Sequence, residues 1–167
     1  MFKKFYFFIG ISSFFFSLFF SYPDIGNFYY IYPIKNNNLV SSYYGNRQLY
    51  GINNFHNGID IPATYNTPVY SINSGIIQYI GFDGKGYGNY IIILHNNSVK
   101  SLYGHLSENI LVSLGEYVSK GQIISYVGPK TLSNGKSNGN TTGPHLHFSV
   151  FNNIGKSIDP LTFEYKK

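Results

Sequence analysis

Thr141-Thr142-Gly143-Pro144-His145-Leu146-His147-Phe148-Ser149-Val150 is the stretch whose reading decides the fold. From Pro144 onward His145, His147 and Ser149 alternate with Leu146, Phe148 and Val150, the period-two signature of a half-buried strand. If the apolar set faces a core, both histidines leave the opposite face, their stems separated by roughly 6.6 Å. That is close enough to serve one site in different capacities. Taken alone, the pair fits a polar strand surface equally well.

Two further stretches answer it. In Phe55-His56-Asn57-Gly58-Ile59-Asp60-Ile61, His56 and Asp60 lie four apart, with Phe55, Ile59 and Ile61 at the alternate positions. Gly58 and Pro62 oppose a helix, which leaves a strand or a tight loop. In Ser101-Leu102-Tyr103-Gly104-His105-Leu106, Leu102 and Leu106 mark the expected core face and His105 the opposite one. Four of the five histidines thus fall in short β-like segments, away from the apolar positions. Neutral imidazole is the commonest metal ligand, and two histidines with one carboxylate form a catalytic zinc set with a position left open for water.

His56-x-x-x-Asp60, Tyr103-Gly104-His105-Leu106 and Gly143-Pro144-His145-Leu146-His147-Phe148 together resemble the signature of the lysostaphin-like, LytM-type zinc endopeptidases, which cut peptide cross-links of bacterial peptidoglycan. The resemblance runs from about Leu39 to Phe163. It includes Thr67-Pro68-Val69-Tyr70, Gly86-Tyr87-Gly88-Asn89-Tyr90 and Val118-x-x-Gly121-Gln122. It implies that His56, Asp60 and His147 hold one Zn²⁺, with metal-bound water as nucleophile and His105 and His145 as unligated catalytic groups. His145 is the favoured base and His105 the favoured stabiliser, a split the sequence leaves open. Ser42-Tyr43-Tyr44-Gly45-Asn46-Arg47 resembles the family's Phe-Gly-x-Arg entry. Arg47 could brace the site or touch substrate, and Tyr103, by alternation on His105's face, could orient it. The implied partner is the peptidoglycan stem peptide. The alternative is a non-catalytic scaffold that activates another wall hydrolase, although such members typically lose zinc ligands. The helical His-Glu-x-x-His class is excluded, because nothing matches it.

The chain has 167 residues, enough for one domain with a modest core. Lys3 and Lys4 precede an uncharged run from Phe5 to Phe20, polar only at three serines. About 16 apolar residues fall short of the roughly 20 a membrane-spanning helix needs, so residues 1–21 read as a secretory signal peptide. Phe19-Phe20-Ser21 is a poor cleavage site, which keeps an uncleaved membrane anchor open. Either way the protein is expected in the cell envelope: periplasmic, anchored or extracellular. Residues 22–38, with Pro23, Pro33 and Asn36-Asn37-Asn38, read as a linker, 39–163 as the peptidase domain and 164–167 as a tail.

The absence of cysteine removes disulfides, thiolate zinc sites and a cysteine nucleophile. The net charge of +5 becomes +3 without Lys3 and Lys4, with 10 basic against 7 acidic residues, a balance suited to an anionic envelope polymer. With no basic cluster or helix, nucleic acid is not an expected partner.

From Leu39 the pattern is β throughout. The expected fold is all-β: antiparallel sheets in a compact sandwich or barrel-like domain, a groove holding the zinc site, and little or no helix beyond the leader. Thr67–Asn73 and Gly75–Ile80 read as successive strands turned at Ser74-Gly75, and Asn66 suits a left-handed turn. Asp83–Asn89 is glycine-rich but lacks the lysine-serine ending and following helix of a phosphate loop, so it reads as a hairpin turn. Tyr90–Leu94 reads as a central strand covered on both faces, and Gly115–Ile124 as a hairpin. His95 lies outside the functional set. Pro129–Thr142, rich in Ser, Asn and Gly, reads as a flexible surface loop about eight residues longer than relatives have there.

Overall fold

The computed structural model describes residues 29–49, 51–96 and 98–166. The leader reading of residues 1–21 lies outside them, as does the first part of the expected linker. Among the described residues no helix is long and apolar enough to cross a membrane.

In chain order the strands are β1 (Tyr30–Ile31), β2 (Gly45–Leu49), β3 (Ile52–His56), β4 (Ile59–Pro62), β5 (Pro68–Tyr70), β6 (Gly75–Asp83) and β7 (Gly88–His95). There follow β8 (Lys100–Gly104), β9 (Tyr117–Val118), β10 (Ile123–Tyr126), β11 (His145–Phe151), β12 (Ser157–Ile158), a 3-10 turn at Pro160–Thr162 and β13 (Tyr165–Lys166). The main sheet runs β12-β11-β8-β7-β6-β9, with β4 also paired to β11. It is antiparallel at every pairing and does not close into a barrel. β2 and β3 form a separate hairpin, β5 pairs β10, and β1 pairs β13 in parallel.

Register decides which side chains share a face, since residues directly opposite across strands point the same way. Phe148 stands opposite both Ile59 and Tyr103, and Tyr103 opposite Ile91, so these four face the core together. Leu146, Val150, Ile61 and Ile93 extend that face, and Val69 of β5 and Ile124 of β10 join the same cluster. The other face carries Asp60, His147 and Gly104 in one row, by the pairs His147–Asp60 and His147–Gly104. Alternation along β11 thus faces both histidines away from the core, as its sequence predicts.

Several expectations fail in instructive ways. The parity read for β8 is off by one: Tyr103 is fully buried in the core, and Leu102 lies on the face shared with Ser149. Tyr103 is therefore not a substrate-binding residue; its hydroxyl accepts from Ile72 N at 3.0 Å and from Ser101 Oγ at 3.0 Å. Burial pushes its phenol up to about 12. His105 still reaches the groove because it follows the end of β8 with φ 56°, so strand alternation does not govern its direction.

Gly115–Ile124 is not a hairpin, since β9 joins the main sheet beside β6 while β10 crosses to β5. Tyr90–Leu94 is central, flanked by β6 and β8, but only Ile91 and Ile93 are fully buried. The expected linker packs onto the domain within its described part, with Ile34 1% exposed in the core. The tail contributes β13. Asp83–Asn89 does turn a hairpin, with Asp83 opposite Gly88, and Asn66 has φ 67°.

His95 is buried and structural. Its Nδ1 lies 3.0 Å from Ser74 O and its Nε2 2.8 Å from Ser101 Oγ, linking it to the Tyr103 hydroxyl. Burial lowers its pKa from the ordinary value.

The segment 129–142 is not a loose surface loop. Leu132 is buried, Asn138 is fully buried, and Thr131 bridges Ser137. Asn138 Nδ2 donates to Leu106 O at 3.1 Å and Pro129 O at 3.2 Å, while its Oδ1 accepts from Asn89 N at 2.9 Å. A Cβ at Gly88 would collide with Asn138, and one at Gly139 with the backbone of Gly86 and Gly88. Gly88 at the end of the β6–β7 turn and Gly139 opposite it let the two segments approach this closely.

Candidate metal centre and groove

His56 ends β3, Asn57-Gly58 turns the chain, and Asp60 sits in β4, so the two candidate donors come from adjoining strands rather than one. Gly58 is required at the bend: a Cβ there would strike the Phe148 carbonyl and Ser149 Oγ. Asp60 and His147 then face each other by register.

Three donor atoms converge. His56 Nε2 lies 3.2 Å from Asp60 Oδ1, His147 Nδ1 lies 3.0 Å from the same oxygen, and the two imidazole nitrogens are 3.1 Å apart. A tetrahedral zinc site with bonds of about 2.0–2.1 Å has donor–donor edges of about 3.3 Å, so the triangle fits such an ion. The remaining ring nitrogens confirm the polarity. His56 Nδ1 donates to Tyr43 O at 3.0 Å, which leaves its Nε2 a lone pair in the neutral ring. His147 Nε2 is 2.8 Å from Ser149 Oγ, itself 3.5 Å from Asn57 Oδ1; a ring donating to Ser149 keeps its Nδ1 lone pair for the triangle. Two lone pairs and a carboxylate oxygen face one another, an arrangement that calls for a cation.

Electrostatics agree. Burial alone would raise the Asp60 carboxyl, but hydrogen bonds from His145, His147 and His56 outweigh it and hold the group far below the usual carboxylate range. Burial lowers the His147 pKa against the pull of Asp60. Arg47 donates to Asp60 Oδ2 at 3.4 Å and to Ser42 Oγ, so it braces the Asp60 carboxylate.

The groove holds about 570 Å³ and is lined by all three donors with Arg47, Tyr87, His105 and His145. His145 Nε2 stands 3.6 Å from Asp60 Oδ1, and its Nδ1 donates to Gly143 O at 2.9 Å. Burial lowers its pKa, but the Asp60 partner outweighs that and the net shift is upward. His105 Nδ1 donates to Asn138 O at 2.8 Å. Burial, with the neighbouring His145 charge, pulls His105 down to about 4. The His105 and His145 rings are 4.6 Å apart.

Three participants escaped the sequence reading. Ser149 orients His147, and its alternation with the histidines was the available signal. Tyr87 packs its ring 5.2 Å from His147 and accepts a hydrogen bond from Asn57 Nδ2. Asn138 holds His105 through a backbone carbonyl, for which no residue-type signal exists.

The family model for peptidase family M23 matches residues 54–160. The chain is 30% identical over 134 residues to an uncharacterized metalloprotease of Haemophilus influenzae, covering 78% of this chain and 26% of that protein. It is 34% identical over 122 residues to the peptidoglycan DD-endopeptidase ShyA of Vibrio cholerae, covering 71% and 26%. The chain thus spans about a quarter of the length of these curated relatives. Among solved structures, a zinc-containing peptidase from Vibrio cholerae superposes with TM-score 0.67 at 30% identity, over 84% of this chain and 40% of that one. The catalytic domain of lysostaphin from Staphylococcus simulans gives 0.63 at 32% identity, over 74% and 90%. The matched span begins inside the strand that ends in His56 and closes on the 3-10 turn, so it contains every donor of the triangle: the chain belongs to peptidase family M23.

Proposed function

We propose that this protein is an exported zinc endopeptidase that hydrolyses peptide cross-links of bacterial peptidoglycan. The observation that carries the reading is the His56–Asp60–His147 triangle opening onto a groove that also holds two unligated histidines. Relatives named as a peptidoglycan endopeptidase and as lysostaphin support the substrate class. Lys3 and Lys4 before an apolar run support export.

His56, Asp60 and His147 would hold one zinc ion, which would supply Lewis acidity to a substrate carbonyl and to water near neutral pH. His105 donates from Nδ1 to Asn138 O, which leaves the Nε2 lone pair free to take the proton of the attacking water. His145 donates from Nδ1 to Gly143 O and turns Nε2 toward the Asp60 carboxylate, which favours a proton there. It is suited to stabilise the developing oxyanion or to protonate the leaving amine. This division reverses the one favoured from sequence, because the carbonyl partner of each Nδ1 and the nearby carboxylate set the proton inventory. Arg47 holds Asp60 Oδ2, leaving Oδ1 aimed at the histidines.

The test is incubation of purified wall sacculi with the full chain. New amine termini and shorter cross-linked fragments should appear, vanish with chelator and return with added zinc. Intact cross-links after incubation with zinc-loaded protein would overturn the enzyme reading in favour of a non-catalytic wall-associated role.

A further inference from the structure

The row that carries the metal ligands continues across the main sheet. From His147 it passes to Gly104 on β8, then to Tyr90, the β7 residue just before the Ile91–Tyr103 pair, and on to Gly81 of β6, which stands opposite Tyr90. Neither glycine puts a side chain on the floor. A Cβ at Gly104 would lie 3.1 Å from Tyr87 O, and one at Gly81 would collide with the Tyr79 ring, which lies flat over that position. Tyr79 stacks on Tyr90 with ring centroids 5.2 Å apart and planes 23° from parallel. Tyr87 links this pair to the centre, 5.6 Å from Tyr90 and 5.2 Å from His147. Tyr79 is 46% exposed.

We propose that the Tyr79–Tyr90 pair is a subsite for the sugar rings of the glycan strand to which the cleaved stem peptide is attached; this rests on the peptidoglycan reading above. A pyranose ring offers a face of C–H groups edged by hydroxyl and acetamido groups. A flat tyrosine pair offers the complementary apolar face with phenol hydroxyls at its rim. Spacing fits as well. Three strand separations of about 4.8 Å put β6 roughly 14 Å from the His147 strand. An extended peptide of about four residues at 3.3–3.6 Å each covers that distance, the length of a short stem between cross-link and sugar. The side-chain-free positions at Gly104 and Gly81 let Tyr87 and the Tyr79 ring settle onto the sheet, so the tyrosines themselves form the surface between the two sites.

The experiment uses the full chain and two kinds of probe. Binding is measured to peptide-free glycan chains prepared from sacculi by removing the stems. Cleavage is compared on intact sacculi and on cross-linked stem peptides freed of sugar. Tyr79→Ala should weaken glycan binding about fivefold and raise KM on sacculi similarly, with cleavage of the sugar-free peptide unchanged. Tyr79→Phe, which keeps the ring, should behave as the parent. Zinc content and thermal midpoint equal to the parent's establish that Tyr79→Ala is folded. Glycan binding unchanged in Tyr79→Ala, or an equal loss on both cleavage substrates, overturns the subsite. A parent that cuts neither substrate yet binds glycan in a Tyr79-dependent way sinks the peptidase reading and leaves the subsite standing.

Discussion

The two halves of the groove are built differently. Asp60 and His147 are placed by strand register, with β4 and β11 paired so that carboxylate and imidazole meet across one row, and His56 by the short turn that joins the end of β3 to β4. His105 is placed by a left-handed residue after a strand end and by the carbonyl of Asn138, which comes from a segment 33 residues further along. The first half follows from alternation and pairing and can be read in a linear motif. The second depends on how a long irregular segment folds back, so it tolerates different perturbations.

His147→Ala breaks the first half outright. Two remaining donors hold zinc poorly, so the variant should retain less than about a tenth of the parent's metal and no measurable wall cleavage. Metal analysis after desalting checks this, and full occupancy would remove His147 from the ligand set. His105→Ala probes the second half: zinc should remain while kcat falls about 10²-fold or more. If metal is lost along with activity, the two halves are not separable.

Ser149→Ala and Asn138→Ala sharpen the contrast. Removing Ser149 takes away the partner of His147 Nε2 and should weaken zinc about tenfold in a chelator competition, with little effect on kcat of the loaded protein. Removing the Asn138 side chain takes the partner from Asn89 N and Pro129 O and leaves Leu106 O only Asn89 Nδ2, so the Asn138 backbone carbonyl shifts against His105. The expected result is a roughly tenfold fall in kcat with zinc affinity preserved and about 1–3 kcal/mol lost in denaturation. The same contacts mean that trimming this segment, harmless for a loose loop, should here damage both folding and His105. Loss of zinc affinity in the Asn138 variant with kcat intact would reverse the assignment.

His95→Gln is the smallest in function and belongs to neither half. Metal and activity should be unchanged, while stability drops by about 1–3 kcal/mol as the Ser74 and Ser101 partners are disturbed. Its pKa in the fold lies below the ordinary 6.5, so the native state binds fewer protons than the unfolded one. Its contribution is complete above 6.5 and declines as pH falls through the lowered folded value. The parent should therefore lose stability more steeply than the variant below pH 6.5, by paired denaturation curves.

The sequence by itself determined the β class and the face on which His145 and His147 stand, both of which follow from a period of two and are local. The trio His56, Asp60 and His147 was instead implied by the resemblance of its motifs to a known family. The sequence also placed the hairpin at Asp83–Asn89, because glycine there signals a turn whatever surrounds it. What tertiary structure decided is whatever depends on a partner distant in the chain. Tyr103 proved to be core because its neighbours across the sheet are Phe148 and Ile91, and Leu102 gave the wrong parity because both faces of β8 are buried. Gly115–Ile124 split between two sheets because β6 and β5 compete for its ends, which no turn residue encodes. The Ser/Asn/Gly composition of 129–142 suggested mobility, yet Asn138 finds four partners in Leu106, Pro129, Asn89 and His105, supplied by other segments. Composition reports how little apolar surface a segment can bury; it does not report the backbone groups waiting elsewhere to be satisfied.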